Sequence, residues 1–196
     1  MSGAGAVAGS IALWSALTGP AGGSGASASA GFGWFHAGPP PGNWLPRFLP
    51  GGGAILFYPP SLRPEKSDPG AISVSDATPA GTVRVYLNAT PRQGEETTAG
   101  WAAFRVEHLA DDAAAGAHLD AAAADLAFRG GRGSCVVDHY TTKVGAHQYR
   151  EIACYVEGGH SAGVVIAAAR LADWGKYAPV LERAINAFQL TSGVAG

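Results

Sequence analysis

Cysteine is almost missing from this chain: two occur in 196 residues, Cys135 and Cys154. They do not form a C-x-x-C pair, which argues against a thioredoxin-type redox site. No cysteine lies near residues 20–30, so a lipobox anchor is excluded. Charge is scarce as well, at 14% of residues, and lysine scarcest of all, with three against ten arginines. A net charge of −2 gives no basic footprint for nucleic acid. Histidines 108, 118, 139, 147 and 160 show no zinc-type spacing, and the Gly runs 51–53 and 130–133 lack the Lys-Ser/Thr of a P-loop. No cofactor or metal site is therefore expected.

No Lys, Arg, Asp or Glu precedes Arg47. Residues 1–30 are a Gly/Ala/Ser segment around a small apolar patch. They read as signal-like, with Ala28-Ser29-Ala30 fitting A-x-A but no basic n-region, or as a disordered tail. As a membrane anchor the patch is short and Gly-rich. Residues 31–53 read as a Gly/Pro/Trp linker without regular structure, its Trp34, Phe35, Trp44 and Phe48 draping over the domain or forming a contact surface.

A folded domain is expected over 54–190, with a tail at 191–196. Residues 54–58, 71–76 and 82–88 read as strands. A helix is expected after Thr97 or Thr98, either of which can cap it, with Trp101, Phe104, Val106 and Leu109 as its apolar face. Residues 113–128 are ambiguous: alanine favours helix, yet part reads as extended. The chain closes on a helix with Pro179 in its first turn and Leu181, Ala184, Ile185 and Phe188 at core spacing.

Residues 134–142 and 148–156 read as a β-hairpin. With its turn centred between Val144 and Gly145, Cys135 falls opposite Cys154, Val137 opposite Ile152 and Tyr140 opposite Tyr149. Directly opposed Cβ atoms lie within disulfide reach. A third strand, 161–169, is expected to return through Gly158-Gly159 and set Gly163 beside Cys154. The bridge is useful only where oxidation persists, so it points outside the cytosol.

The same register sets Asp138 against Glu151. Two carboxylates so placed form a shared-proton pair or a hard-cation site with His139 or His147, or they lie on a solvated face relieved by Arg150 and Lys143; the solvated face is the expectation. The stretch Gly159-His160-Ser161-Ala162-Gly163 matches the nucleophile elbow, with Ser161 as nucleophile. Its context fails: a strand follows it, and no histidine follows His160.

The stretches 57–62 ("FYPPSL"), 67–70 ("SDPG"), 86–97 ("YLNATPRQGEET"), 101–105 ("WAAFR"), 133–142 ("GSCVVDHYTT"), 149–156 ("YREIACYV") and 174–188 ("WGKYAPVLERAINAF") carry a likeness. Together they resemble small exported or anchored proteins of high-GC bacteria related to the PsbP-type α/β/α sandwich. Leu62 stands where similar sequences carry tryptophan. The resemblance implies an α+β fold, a central antiparallel sheet of about six strands with helices on its faces. It also implies an accessory or binding role outside the cytoplasm, and it transfers no catalytic residues. The expectation is a non-catalytic extracytoplasmic module, secreted or envelope-associated, that binds an envelope protein or a small ligand. Serine hydrolysis at Ser161 and a purely structural envelope role are the alternatives. A concave pocket ringed by Trp101, Tyr140 or Tyr149 favours a small ligand; a flat face favours protein contact.

Overall fold

The computed structural model describes residues 31–111 and 114–191. The signal-like reading of 1–30, and most of the tail, lie outside them. The fold is α+β, and the described residues form ten strands in two antiparallel sheets and two α-helices. In chain order the elements are β1 (Leu45–Phe48), β2 (Ala54–Tyr58), β3 (Arg63–Glu65), β4 (Ile72–Ala77), β5 (Val83–Pro91), α1 (Trp101–Asp111), β6 (Ala114–Phe128), β7 (Gly131–Thr142), β8 (Gln148–Glu157), β9 (Ala162–Arg170), a 3₁₀ turn (Leu171–Asp173), α2 (Trp174–Ala187) and β10 (Gln189–Leu190). Seven strands form the main sheet in the order β3-β4-β5-β9-β8-β7-β6, and a small sheet runs β1-β2-β10.

Two-residue alternation gives the main sheet a buried cluster on each face. Val85, Leu87, Ile152, Cys154, Val165 and Ala167 point into the larger core, which α2 and the small sheet close with Leu181, Ile185, Phe188, Leu56 and Leu190. Val136, Ala153, Tyr155 and Val164 point the other way, against Trp101 of α1. The stripe expected on α2 is buried throughout, Phe188 acting as its C-cap residue.

Thr97 lies one turn ahead of helix α1 and shapes the entry to it: Thr97 Oγ1 accepts the N–H of Gly100, the residue before the helix, at 3.0 Å. The alternative, Thr98, instead donates to Glu157 Oε1 and accepts from Ser134 Oγ. The helix packs over β6, β7 and β8. It leaves the β3-β4-β5 half of that face without a helix above it, and this places the site described below.

The β7–β8 hairpin forms in the expected register, with Cys135 opposite Cys154, Val137 opposite Ile152 and Tyr140 opposite Tyr149. Cys135 and Cys154 are disulfide-bonded, with Cα atoms 4.0 Å apart.

Three expectations are corrected, and the open reading of 113–128 is decided. The segment 31–53 contains strand β1, places Phe32 and Leu49 in the core and packs Trp34, Phe35 and Trp44 against it; only Phe48 of its five Phe and Trp residues is largely exposed. Residues 114–128 are one long edge strand, because pairing with β7 satisfies a whole row of backbone groups and outweighs alanine's helix propensity. Val165, not Gly163, lies beside Cys154; the turn is closed by Gly158 N–H to Ser161 C=O at 2.8 Å, which moves β9 by two residues. Pro179 lies inside α2 rather than in its first turn, since the 3₁₀ turn starts the helix at Trp174.

One glycine is required by position. Gly130 turns β6 into β7 at φ +87°, and a Cβ there would meet Leu190 O at 2.4 Å, where β10 bonds the turn.

Candidate functional site

Register alone builds a row of side chains across the α1 face of the main sheet. Ser75 of β4 opposes Tyr86 of β5, which opposes Ala168 of β9, then Glu151 of β8, then Asp138 of β7. Ala168 is small, so the Tyr86 hydroxyl reaches across it to donate to Glu151 Oε2 at 3.1 Å. Tyr86 and Tyr140 hydroxyls meet at 3.0 Å. From above, Arg105 of α1 donates from Nε and Nη2 to Glu151 Oε1, and its Nε lies 3.8 Å from Asp138 Oδ2.

Asp138 and Glu151 are both fully buried. This overturns the solvated-face reading of the pair, and the relief comes from Arg105. Arg150 points to the other face, where it pairs with Asp120 and lies over the Trp174 ring, and Lys143 bonds the Ala110 carbonyl. Burial first, and then the Glu151 charge, raise the Asp138 carboxyl to about 8. So raised, Asp138 keeps its proton at neutral pH beside the Glu151–Arg105 pair. Burial works to lower the Arg105 pKa, but the Glu151 and Asp138 charges outweigh it and the group is raised. Burial followed by the Glu151 charge also pushes the Tyr86 and Tyr140 phenols upward.

Sequence reasoning found the carboxylate pair and Tyr140. It missed Arg105 and Tyr86. The available signal was Arg105 four residues after Trp101, inside the apolar stripe of an amphipathic helix, where an arginine must find buried carboxylates.

Two cavities flank the row. The first, about 560 Å³, lies between α1 and strands β4 and β5, with Trp101, Phe104, Arg105 and His108 on one wall and Ser73, Asn88 and Thr90 on the other. Its aromatic wall is continuous: Tyr155, Trp101, Phe104 and His108 stack in sequence at 5.5–5.9 Å between ring centroids. The second, about 640 Å³, is lined by Tyr86, Tyr140 and Tyr149 with Val74 and Val83, and it shares Lys66 and Ser73 with the first. The sheet therefore presents a groove, and Trp101, Tyr140 and Tyr149 all stand on its walls.

Ser161 belongs elsewhere. It ends the turn before β9, a strand rather than the helix an elbow requires, and its hydroxyl donates to Thr191 C=O at 2.9 Å. His139 and His147 do not join the carboxylate pair: His139 bonds Asp120 and stacks on His118, and His147 lies beyond the β7–β8 turn. Among the described residues no group of three or more His, Cys, Asp or Glu could hold a metal ion. No helix among them is long and apolar enough to cross a membrane.

No family model matches the sequence, and no curated protein matches it significantly. The PsbP-type likeness therefore rests on the quoted motifs. Solved structures do match in arrangement. A Pseudomonas aeruginosa protein of unknown function is 14% identical, at a TM-score of 0.48, over 74% of this chain and 95% of its own. LpqN of Mycobacterium tuberculosis, involved in cell envelope biogenesis, is 14% identical, at 0.48, over 76% and 90%. A Bacteroides thetaiotaomicron protein is 15% identical, at 0.47, over 76% of this chain and 49% of that one. Nothing about function is carried over from them.

Proposed function

We propose that this protein is a non-catalytic binding module of an oxidising, extracytoplasmic compartment, and that it takes a small ligand in the groove beside α1. The groove carries the reading. It offers two adjoining cavities of about 560 and 640 Å³, within the usual range for small-molecule sites. Aromatic side chains wall it, and polar groups converge on its centre. The Cys135–Cys154 bond supports the compartment, because such a bond persists where thiols are not kept reduced.

The polar row has the makings of a support rather than a reacting centre. Arg105 and Tyr86 occupy the Glu151 carboxylate, and Asp138 is fully buried beside them. These groups hold α1 at a fixed distance from the sheet and so set the width of the groove.

The test is an amide-resolved NMR titration of the full chain with a mixed fragment library. Perturbations grouped on Ser73, Tyr86, Asn88, Phe104 and Tyr140 support the groove. Perturbations confined to the exposed Leu45 and Phe48 of β1 would overturn it in favour of a protein-contact surface.

A further inference from the structure

From the direction of five of the six hydroxyl protons around the second cavity, we infer that its ligand is an amine carried on an apolar body. This rests on the groove being the binding site and adds the ligand's chemical class.

A hydroxyl has one proton to give and lone pairs to spare. Around this cavity the protons are spent inward. The Tyr86 proton goes to Glu151, whose carboxylate Arg105 also holds from above. The short Tyr86–Tyr140 contact then needs its proton from Tyr140. The Tyr149 hydroxyl donates to Val83 C=O at 2.6 Å, Thr142 Oγ1 to Val144 C=O at 2.8 Å and Ser75 Oγ to Glu65 Oε1 at 2.9 Å. What these five groups leave for a ligand is lone pairs. Ser73 Oγ already accepts from Asn88 Nδ2 at 2.7 Å, and its own proton is the one hydroxyl proton not committed.

Apart from Ser73 and Lys66 the polar lining accepts, and such a surface selects a ligand that donates. The walls add a second preference. Tyr140 and Tyr149 stack at 6.0 Å, and Tyr86 meets Tyr149 edge-on at 6.2 Å. Tyrosine faces attract a cation and tolerate hydrocarbon, while a carboxylate gains nothing from either. Lys66 and Glu65 both stand on the lining with opposite charges, so charge gives the amine no advantage and the preference rests on the tyrosines.

The probes are three fragments with one body: 2-phenylethylamine, 2-phenylethanol and phenylacetate. Each is titrated into the full chain at neutral pH, with tyrosine ring resonances as the readout. The amine is expected to bind about tenfold more tightly than phenylacetate, with the alcohol between them. Tyr140→Phe keeps the ring and removes the acceptor; it should weaken the amine about fivefold and leave phenylacetate unchanged. Tyr86→Phe removes the group that takes the Tyr140 proton, so that Tyr140 can donate outward and the gap between amine and carboxylate narrows. A role confined to holding the fold would weaken all three probes together and leave their order intact.

Phenylacetate binding as tightly as the amine, with shifts on Tyr140 and Tyr149, sinks the amine class while leaving the groove as a site. Shifts of none of these tyrosines with any probe, while library fragments still perturb Phe104 and Asn88, reject this cavity and keep the first. Should Tyr140→Phe fail to fold, the order of the three probes on the unaltered chain still decides the matter.

Discussion

Asp138 is the residue through which pH reaches this fold. Its folded pKa of about 8 stands far above that of the same carboxyl in an unfolded chain, so between those values the folded state holds the extra proton. The contribution to stability is full below the unfolded pKa and is lost as pH rises through about 8. The denaturant midpoint should therefore fall from pH 5 to pH 9, and Asp138→Asn, which imitates the protonated form, should flatten most of that slope. Urea melts of both proteins across the range check this; parallel slopes would mean that Asp138 is not the proton carrier. Glu151→Ala should behave differently. It removes the two hydrogen bonds that Arg105 makes to Glu151 and leaves the buried guanidinium only the more distant Asp138, at a cost of about 3 kcal/mol in chemical denaturation. The carboxylate pair was legible in the sequence because hairpin register follows from one turn. Arg105 was not, because nothing in the order of residues says which helix lies over which strands.

Among the elements, the β7–β8 hairpin was read most completely, and alternation explains why. Once Cys135 opposes Cys154, each neighbouring pair down to Tyr140 and Tyr149 follows in steps of two. The β9 register was harder, since a Gly-rich turn admits more than one closure. Strand β6 was harder still, since alanine fits either structure and the edge of β7 decided it. Replacing both cysteines by alanine should cost about 2–4 kcal/mol, read from denaturant unfolding of oxidised protein and variant. Thiol titration of the unreduced, unfolded chain should find no free sulfhydryl; two would remove the support for an oxidising compartment. In α2, Pro179 is exposed and cannot donate the N–H that an uninterrupted helix sends to Gly175. Pro179→Ala should raise stability by about 1–3 kcal/mol in the same assay; a loss would show that the proline fixes the join between the 3₁₀ turn and the helix.

At the scale of the whole molecule, the two faces of the main sheet are unequally held. One is closed by α2, the small sheet and the aromatics of residues 32–44, around a core of more than twenty buried side chains. The other, among the described residues, has α1 alone, fixed by Trp101, Leu109 and the Arg105–Glu151 pair. Trp101 is its chief anchor: its indole N–H donates to Ala153 C=O at 2.9 Å, and its ring stacks on Tyr155. Local opening follows buried contact, so α1 is the element that should open first, and opening it widens the groove. Native-state hydrogen exchange should find the α1 amides exchanging at a lower opening free energy than those of β8, β9 or α2. A bound ligand should slow the α1 amides selectively. Trp101→Ala should let α1 exchange faster while the disulfide-linked strands keep most of their protection relative to one another. Exchange of α1 in step with β8 in the unaltered protein would mean that the molecule opens only as a unit, and that ligand entry must use the groove at its resting width.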